Sequence, residues 1–152
     1  MLKRLLALVA VLALALPASG AARLNRNESS LLQEMNRVRL AHGLHRLGYD
    51  PNLERAARAH SRTMLRTNSF GHGALGSRFR QFGVTASLAG ENLAWSTGAS
   101  STARAIVVAW LASSAHRANL LRPSFTRVGV GALVGAFLGL TSVRVVTADF
   151  AG

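Results

Sequence analysis

VGVGALVGAFLGLTSVRVVTADF, residues 128–150, is the stretch whose reading decides the fold. Two blocks in it, Val128–Val134 and Ser142–Phe150, are rich in valine and other strand-favouring residues and are separated by a glycine-bounded segment. They read as two strands joined by a turn, hence as an antiparallel pair. Gly129, Gly131 and Gly135 have the wrong spacing for a dinucleotide-binding loop, and they open a strand rather than a helix. Upstream of this pair the apolar residues recur at helical steps, so helices come first and strands last. That order predicts an α+β domain built on an antiparallel sheet.

Working back toward the N-terminus, Asn27 is placed to cap a helix running to about Ala41, with Leu31, Leu32, Met35 and Val38 on its apolar side and Gly43 at its end. Asn36 and Arg39 lie one helical step apart, within reach of neighbouring loops, although Arg39 alone reads as a surface residue. His42 and His45 flank the glycine and read as loop residues. Asp50-Pro51 opens a second helix, with aspartate as cap and proline at the first helical position. Leu53, Ala57, His60 and Met64 follow at helical spacing, which makes His60 a core-facing histidine satisfied by structure, with Ser61 on another part of the surface. Asn68–Gly83 is a glycine-rich connection with a short helix around Arg78–Phe82. Ser100 or Ser101 caps the next helix, whose stripe is Ala103, Ile106, Val107 and Trp110 and whose end falls near Ala112–Ser114. His116 is thereby expected just past a helix end.

The first residues are of another kind. Lys3 and Arg4 precede an apolar run, Leu5–Leu16, too short to span a bilayer, and Pro17 and a small-residue segment follow it. Residues 1–21 therefore read as a secretory signal peptide cleaved near 20–22, and 22–152 as a single domain in a secreted, extracellular or periplasmic protein. The chain has no cysteine, which excludes disulfides, thiolate catalysis, cysteine-ligated metals and a lipoprotein anchor. Its formal net charge is +12, and every cation after Lys3 is an arginine. Attraction to an anionic polymer or membrane surface follows from that charge, but the arginines form no block, so a solvated face is the plainer reading and a nucleic-acid partner is not expected.

Three residues stand apart chemically. His72 sits between two glycines in a loop, where it cannot easily be a core filler. Glu91, in Gly90-Glu91-Asn92, is one of only six acidic side chains and is followed by Leu93-Ala94-Trp95, so if buried it must be paired, coordinated or protonated. His116 follows the tryptophan helix, with Ser113 and Ser114 close by. Walker loops, HExxH and GxSxG elbows are absent.

The series Leu32, Asn36, Arg39, Gly43-Leu44, His60-Ser61, Phe70…His72, Gly90-Glu91-Asn92, Trp110…Ser113…His116-Arg117…Asn119-Leu120-Leu121, Val128-Gly129-Val130-Gly131 and Asp149-Phe150 resembles a bacterial CAP domain. That superfamily contains cysteine-rich secretory proteins, antigen 5 and pathogenesis-related 1 proteins, and the resemblance covers essentially the whole of 22–152. It implies a three-layer α-β-α sandwich with a central antiparallel sheet and a large cleft lined by His72, Glu91 and His116. In animal and plant members a second glutamate follows the helix tryptophan, and here Ser113 takes that place.

Two imidazoles and a carboxylate suit zinc or another divalent metal, with His72 and His116 as ligands and Glu91 as a third ligand or as the group orienting a histidine. Without metal the same residues are the catalytic candidates for acid–base work. The expectation is a ligand-binding or interaction module whose partner is a small molecule, lipid or cell-envelope component. The alternative is a hydrolase acting on peptide or cell-wall material.

Overall fold

A computed structural model describes residues 24–152; the signal-peptide reading lies outside them. The hairpin is present and longer than the valine blocks that announce it. Strands β3 (Arg127–Phe137) and β4 (Leu140–Ala151) are joined by Leu138-Gly139, with φ of 51° and 78°. Positive φ at both central residues is what a two-residue turn needs to match the twist of its strands. Two more strands complete a four-stranded sheet in the order β1-β3-β4-β2. Strand β1 (Gly48–Tyr49) runs parallel to β3, whereas β2 (Ala89–Ser96) is antiparallel to β4.

Strand alternation sends the two faces of the sheet to different helices. Val130, Ala132, Val146, Ala148 and Phe150 pack with Leu31 and Met35 of α1 (Arg26–Ala41) and with Ile106, Val107 and Trp110 of α4 (Ala103–Ala112). Val143 and Val145 face the other way, with Met64 of α2 (Pro51–Thr67). Helices thus cover both faces, and the chain is the expected α-β-α sandwich. A short helix, α3 (Leu75–Gln81), extends the α2 layer, and α5 (Ser114–Leu120) follows α4 along the β2 edge.

Local chemistry sets the starts of the three longer helices. Asp50 caps α2 through the Asn52 and Leu53 amides, with Pro51 at its first position. The cap of α1 is Asn25 rather than Asn27. Its side chain accepts from the Glu28 amide while the Glu28 carboxylate accepts from the Asn25 amide, a reciprocal box that Asn27 could not make. Thr102, not Ser100 or Ser101, caps α4, because Gly98–Ser101 is taken up by a 3-10 turn.

Two further expectations are corrected. Arg39 is fully buried, not on the surface. Its guanidinium donates to the carbonyls of His45, Leu120, Arg122 and Phe125 at 2.8–3.0 Å, drawing the segment after α5 onto α1. His116 does not lie past a helix end but within α5, because Ser113 breaks the helix for one residue in an extended conformation and the chain restarts at Ser114.

Candidate functional site

Strand β2 carries the centre of the site. Gly90 lies against the Phe125 ring, where an added Cβ would sit 2.7 Å from a ring carbon. Pairing of Glu91 with Asp149 across β2 and β4 turns the glutamate to the α2 side, and the pleat turns Asn92 the other way. Asn92 donates to the His116 carbonyl at 2.9 Å, and Asn119 donates to the Glu91 carbonyl at 3.0 Å. The Gly90-Glu91-Asn92 run therefore holds α5 through the Asn92 side chain and the Glu91 carbonyl and addresses the opposite layer with the Glu91 carboxylate.

Glu91 is buried, and both its oxygens are committed. Oε1 lies 2.7 Å from His72 Nδ1 and Oε2 bonds to Arg78. Arg78, itself buried, also reaches Asp149 Oδ1 at 3.2 Å and the His72 carbonyl at 3.3 Å. His60 stands 3.7 Å from Glu91 Oε2 and has its Nε2 2.9 Å from the Gly71 carbonyl. An acceptor there requires Nε2 to carry the proton. By the same logic His72 donates Nδ1–H to Glu91 and turns its Nε2 away from the carboxylate. The His72 side chain is 61% exposed, so a buried carboxylate holds an imidazole that stands in solvent.

The electrostatics follow from two buried carboxyls sharing one guanidinium. Burial pushes Glu91 up to about 7, against the pull of Arg78. Burial also raises Asp149 well above the usual carboxylate range, and the neighbouring charge of Glu91 adds to it. Both carboxyls of the pair are thus held above their ordinary range by burial. Burial, then Arg78, lowers His60 to about 4. His116 is lowered by burial and next by the charge of His72, which places the two imidazoles within electrostatic reach of each other.

These shifts give opposite pH dependences. His60, depressed in the fold, contributes stability above 6.5 that is lost as pH falls toward about 4. Glu91, raised in the fold, contributes stability below 4.5 that is lost as pH rises through about 7. In wild type the two offset each other where the windows overlap. His60→Gln is expected to leave stability falling with rising pH, and Glu91→Gln to leave it falling with acid, each by at most ~1.4 kcal/mol per pH unit. Urea unfolding of both variants across pH 4–7 measures this, and unaltered profiles in both would refute it.

Edge strand β2 carries both links: its Glu91 holds the His72 ring and its Asn92 holds the His116 carbonyl, with Ser113 half-buried just before α5. Sequence reasoning missed Arg78, Asp149 and the place of His60 beside Glu91. An aspartate between Ala148 and Phe150 in a buried strand was the available signal, since it demands a cation, but nothing local points to Arg78. Ser61 is spent on the Gly131 carbonyl and Thr147, both at 2.9 Å, and is no nucleophile.

The side chains that could meet a metal differ in how far they are already engaged. Among the described residues no group of three histidine, aspartate or glutamate side chains is gathered to hold an ion. Each Glu91 oxygen already accepts a hydrogen bond, and Arg78 places a cation beside it. The imidazoles of His72 and His116 are the less engaged donors: no hydrogen bond to His72 Nε2 or to the His116 ring is seen among the described residues.

Comparison with known proteins agrees with this architecture. The family model described as "CAP: Cysteine-rich secretory protein family" matches residues 32–146. Uncharacterized protein YkwD of Bacillus subtilis (strain 168) is 38% identical over 109 residues, covering 68% of this chain and 41% of that protein. The chain thus spans less than half the length of the curated relatives it matches. An extracellular Bacillus anthracis (str. Ames) protein containing an SCP domain superposes with a TM-score of 0.69 at 32% identity, over 82% of this chain and 40% of that one. An outer surface protein from Borrelia burgdorferi gives 0.68 at 21% identity, over 83% and 93%. No described helix is long and apolar enough to cross a membrane. By sequence and by fold, the chain belongs to the CAP family of cysteine-rich secretory proteins, of which it is a member without cysteine.

Proposed function

We propose that this chain is a secreted ligand-binding module that recognises its ligand through the exposed edge of His72 beside His116. The observation that carries the reading is the division of labour in the His72–Glu91 pair. The carboxylate is buried and bonded on both oxygens, and the imidazole is largely in solvent. A carboxylate held this way positions a ring and is not free to activate water. Among the described residues no serine or threonine hydroxyl is hydrogen-bonded to an imidazole. Export is supported by the signal-like residues 1–21 and by the extracellular and outer-surface descriptions of structural relatives.

Glu91 fits the role of a group behind a metal ligand, fixing the tautomer and ring orientation of His72. A zinc-class ion would be held by His72 and His116, and would supply a Lewis-acidic position open to water or ligand. Calorimetric titration of the purified domain with zinc tests this. His72→Ala and His116→Ala are each expected to abolish saturable binding, and Glu91→Gln to weaken it about 10–100-fold. Binding that survives loss of both histidines would overturn the metal assignment. Turnover of peptide or cell-wall substrates that is lost in folded His72→Ala would instead establish the hydrolytic alternative.

A further inference from the structure

A cavity of about 490 Å³ lies between α2 and α3, and none of His72, Glu91, Ser113 or His116 lines it. Its polar lining is His60, Thr63 and Arg66 from α2 with Ser77, Arg78 and Gln81 from α3, closed on one side by Gly73, so His60 and Arg78 stand between this cavity and Glu91. The volume is that of an ordinary small-molecule site. A smaller cavity of about 210 Å³ adjoins it along α2, sharing His60, Thr63 and Gly73.

Four observations point to the charge of its occupant. No carboxylate lines the cavity. All six acidic side chains of the chain are already paired with Arg37, Arg58, Arg78 or Arg127, so none is left to neutralise Arg66. The rim carries further arginines: Arg80 bonds to Ser77 Oγ at 3.0 Å, and Arg55 reaches the Phe82 carbonyl at 3.4 Å. Arg78 lines the wall, is about nine-tenths buried, and has one buried donor, Nε, with no hydrogen-bond partner. Excess donors, hydroxyls and an amide without a competing acid suit an oxyanion attached to a polyhydroxy body.

We propose that the α2–α3 cavity is a second binding site, for the phosphate group of a sugar- or polyol-phosphate, with Arg66 as its principal anchor. The phosphate could come from a free small molecule or from the repeat of an anionic envelope polymer, and the chemistry recognised is the same. This site does not depend on the His72–His116 reading.

Calorimetric titration at low ionic strength with glucose 6-phosphate and, separately, with poly(glycerol phosphate) tests the proposal. Saturable binding that weakens with added salt is expected for at least one probe. Arg66→Ala should weaken it about tenfold or more, as loss of a charge-assisted bond does. Thr63→Trp, which fills the cavity from an exposed position without altering charge, should do the same. Arg104→Ala removes an equal charge from α4, on the opposite layer, and should leave binding unchanged; melting temperatures confirm that all three fold. Saturation by the sugar phosphate alone or by the polymer alone upholds the site and identifies the source. Equal losses in Arg66→Ala and Arg104→Ala, or no saturation by either probe at millimolar concentration, would overturn it.

Discussion

Gly129→Ala is expected to abolish cooperative folding. Strand β3 passes so close beneath α2 that a Cβ at Gly129 would lie 2.0 Å from the Glu54 amide nitrogen and the Leu53 carbonyl carbon. The obstacle is helix backbone, which has no rotamer to move to. Relief requires α2 to lift from the sheet, opening the contact that buries Leu53, Ala56, Ala57 and Met64. Overpacking of flexible core side chains costs about 1–3 kcal/mol, and a rigid backbone clash exceeds that. Domains of this size hold ~5–15 kcal/mol in total, so most of the stability is at stake.

Gly131→Ala should behave alike, with Arg58 and Ala57 backbone 2.4–2.5 Å from the added carbon. Gly135→Ala is the internal control. Its new methyl would meet only the Leu65 side chain, at 3.2 Å, and a leucine can turn aside. Denaturant unfolding followed by circular dichroism should show no cooperative transition for the first two and a near-normal one for the third. A Gly129→Ala protein that unfolds like wild type would mean that α2 does not lie on β3 as described.

Arg39→Met is the second large effect. The guanidinium has no carboxylate partner; it is held by four carbonyls belonging to His45, Leu120, Arg122 and Phe125. Burial accordingly lowers its pKa. Methionine keeps much of the stem but leaves these carbonyls without their donor, at roughly 1–3 kcal/mol for each that stays dry. A loss of about 3–5 kcal/mol is expected, as for removing one member of a buried charged network. Arg39→Lys should recover little, because a compact ammonium cannot span the fork of carbonyls. Urea midpoints measure both. Since the clamped segment follows α5 directly, His116 should also lose its fixed position, seen as broadening of its imidazole resonances. A lysine variant as stable as wild type would refute the fork argument.

Legibility in the sequence divided along physical lines. The hairpin, α2 and the body of α1 could be read because their signals are local: valine blocks about a glycine-bounded turn, Asp50-Pro51, and leucines at helical steps. Strand β2 could not. Gly90, Glu91 and Asn92 have poor strand propensity, and only pairing along the whole of β4 makes them extended. The break before α5 was hidden for a similar reason, since Ser113 and Ser114 read equally well as the tail of one helix or the start of another.

At the candidate site, His72, Glu91 and His116 stood out because a polar residue in apolar or glycine-rich surroundings is conspicuous in a single chain. Their number, order and spacing, and an α+β domain on an antiparallel sheet, were determined by sequence alone, and the α-β-α layering came with the family resemblance those residues carry. The partners were not. Arg78, Asp149 and His60 come from α3, β4 and α2, and nothing near them in the chain shows that one guanidinium would lie between two carboxyls. Tertiary structure decided that Glu91 positions a histidine with both oxygens engaged, that Arg39 is a buried pin and not a surface charge, and that Gly129 and Gly131 are where a helix rests on a strand. Each depends on the distance between segments remote in sequence, and such distances are set by the packing of two helical layers on one sheet.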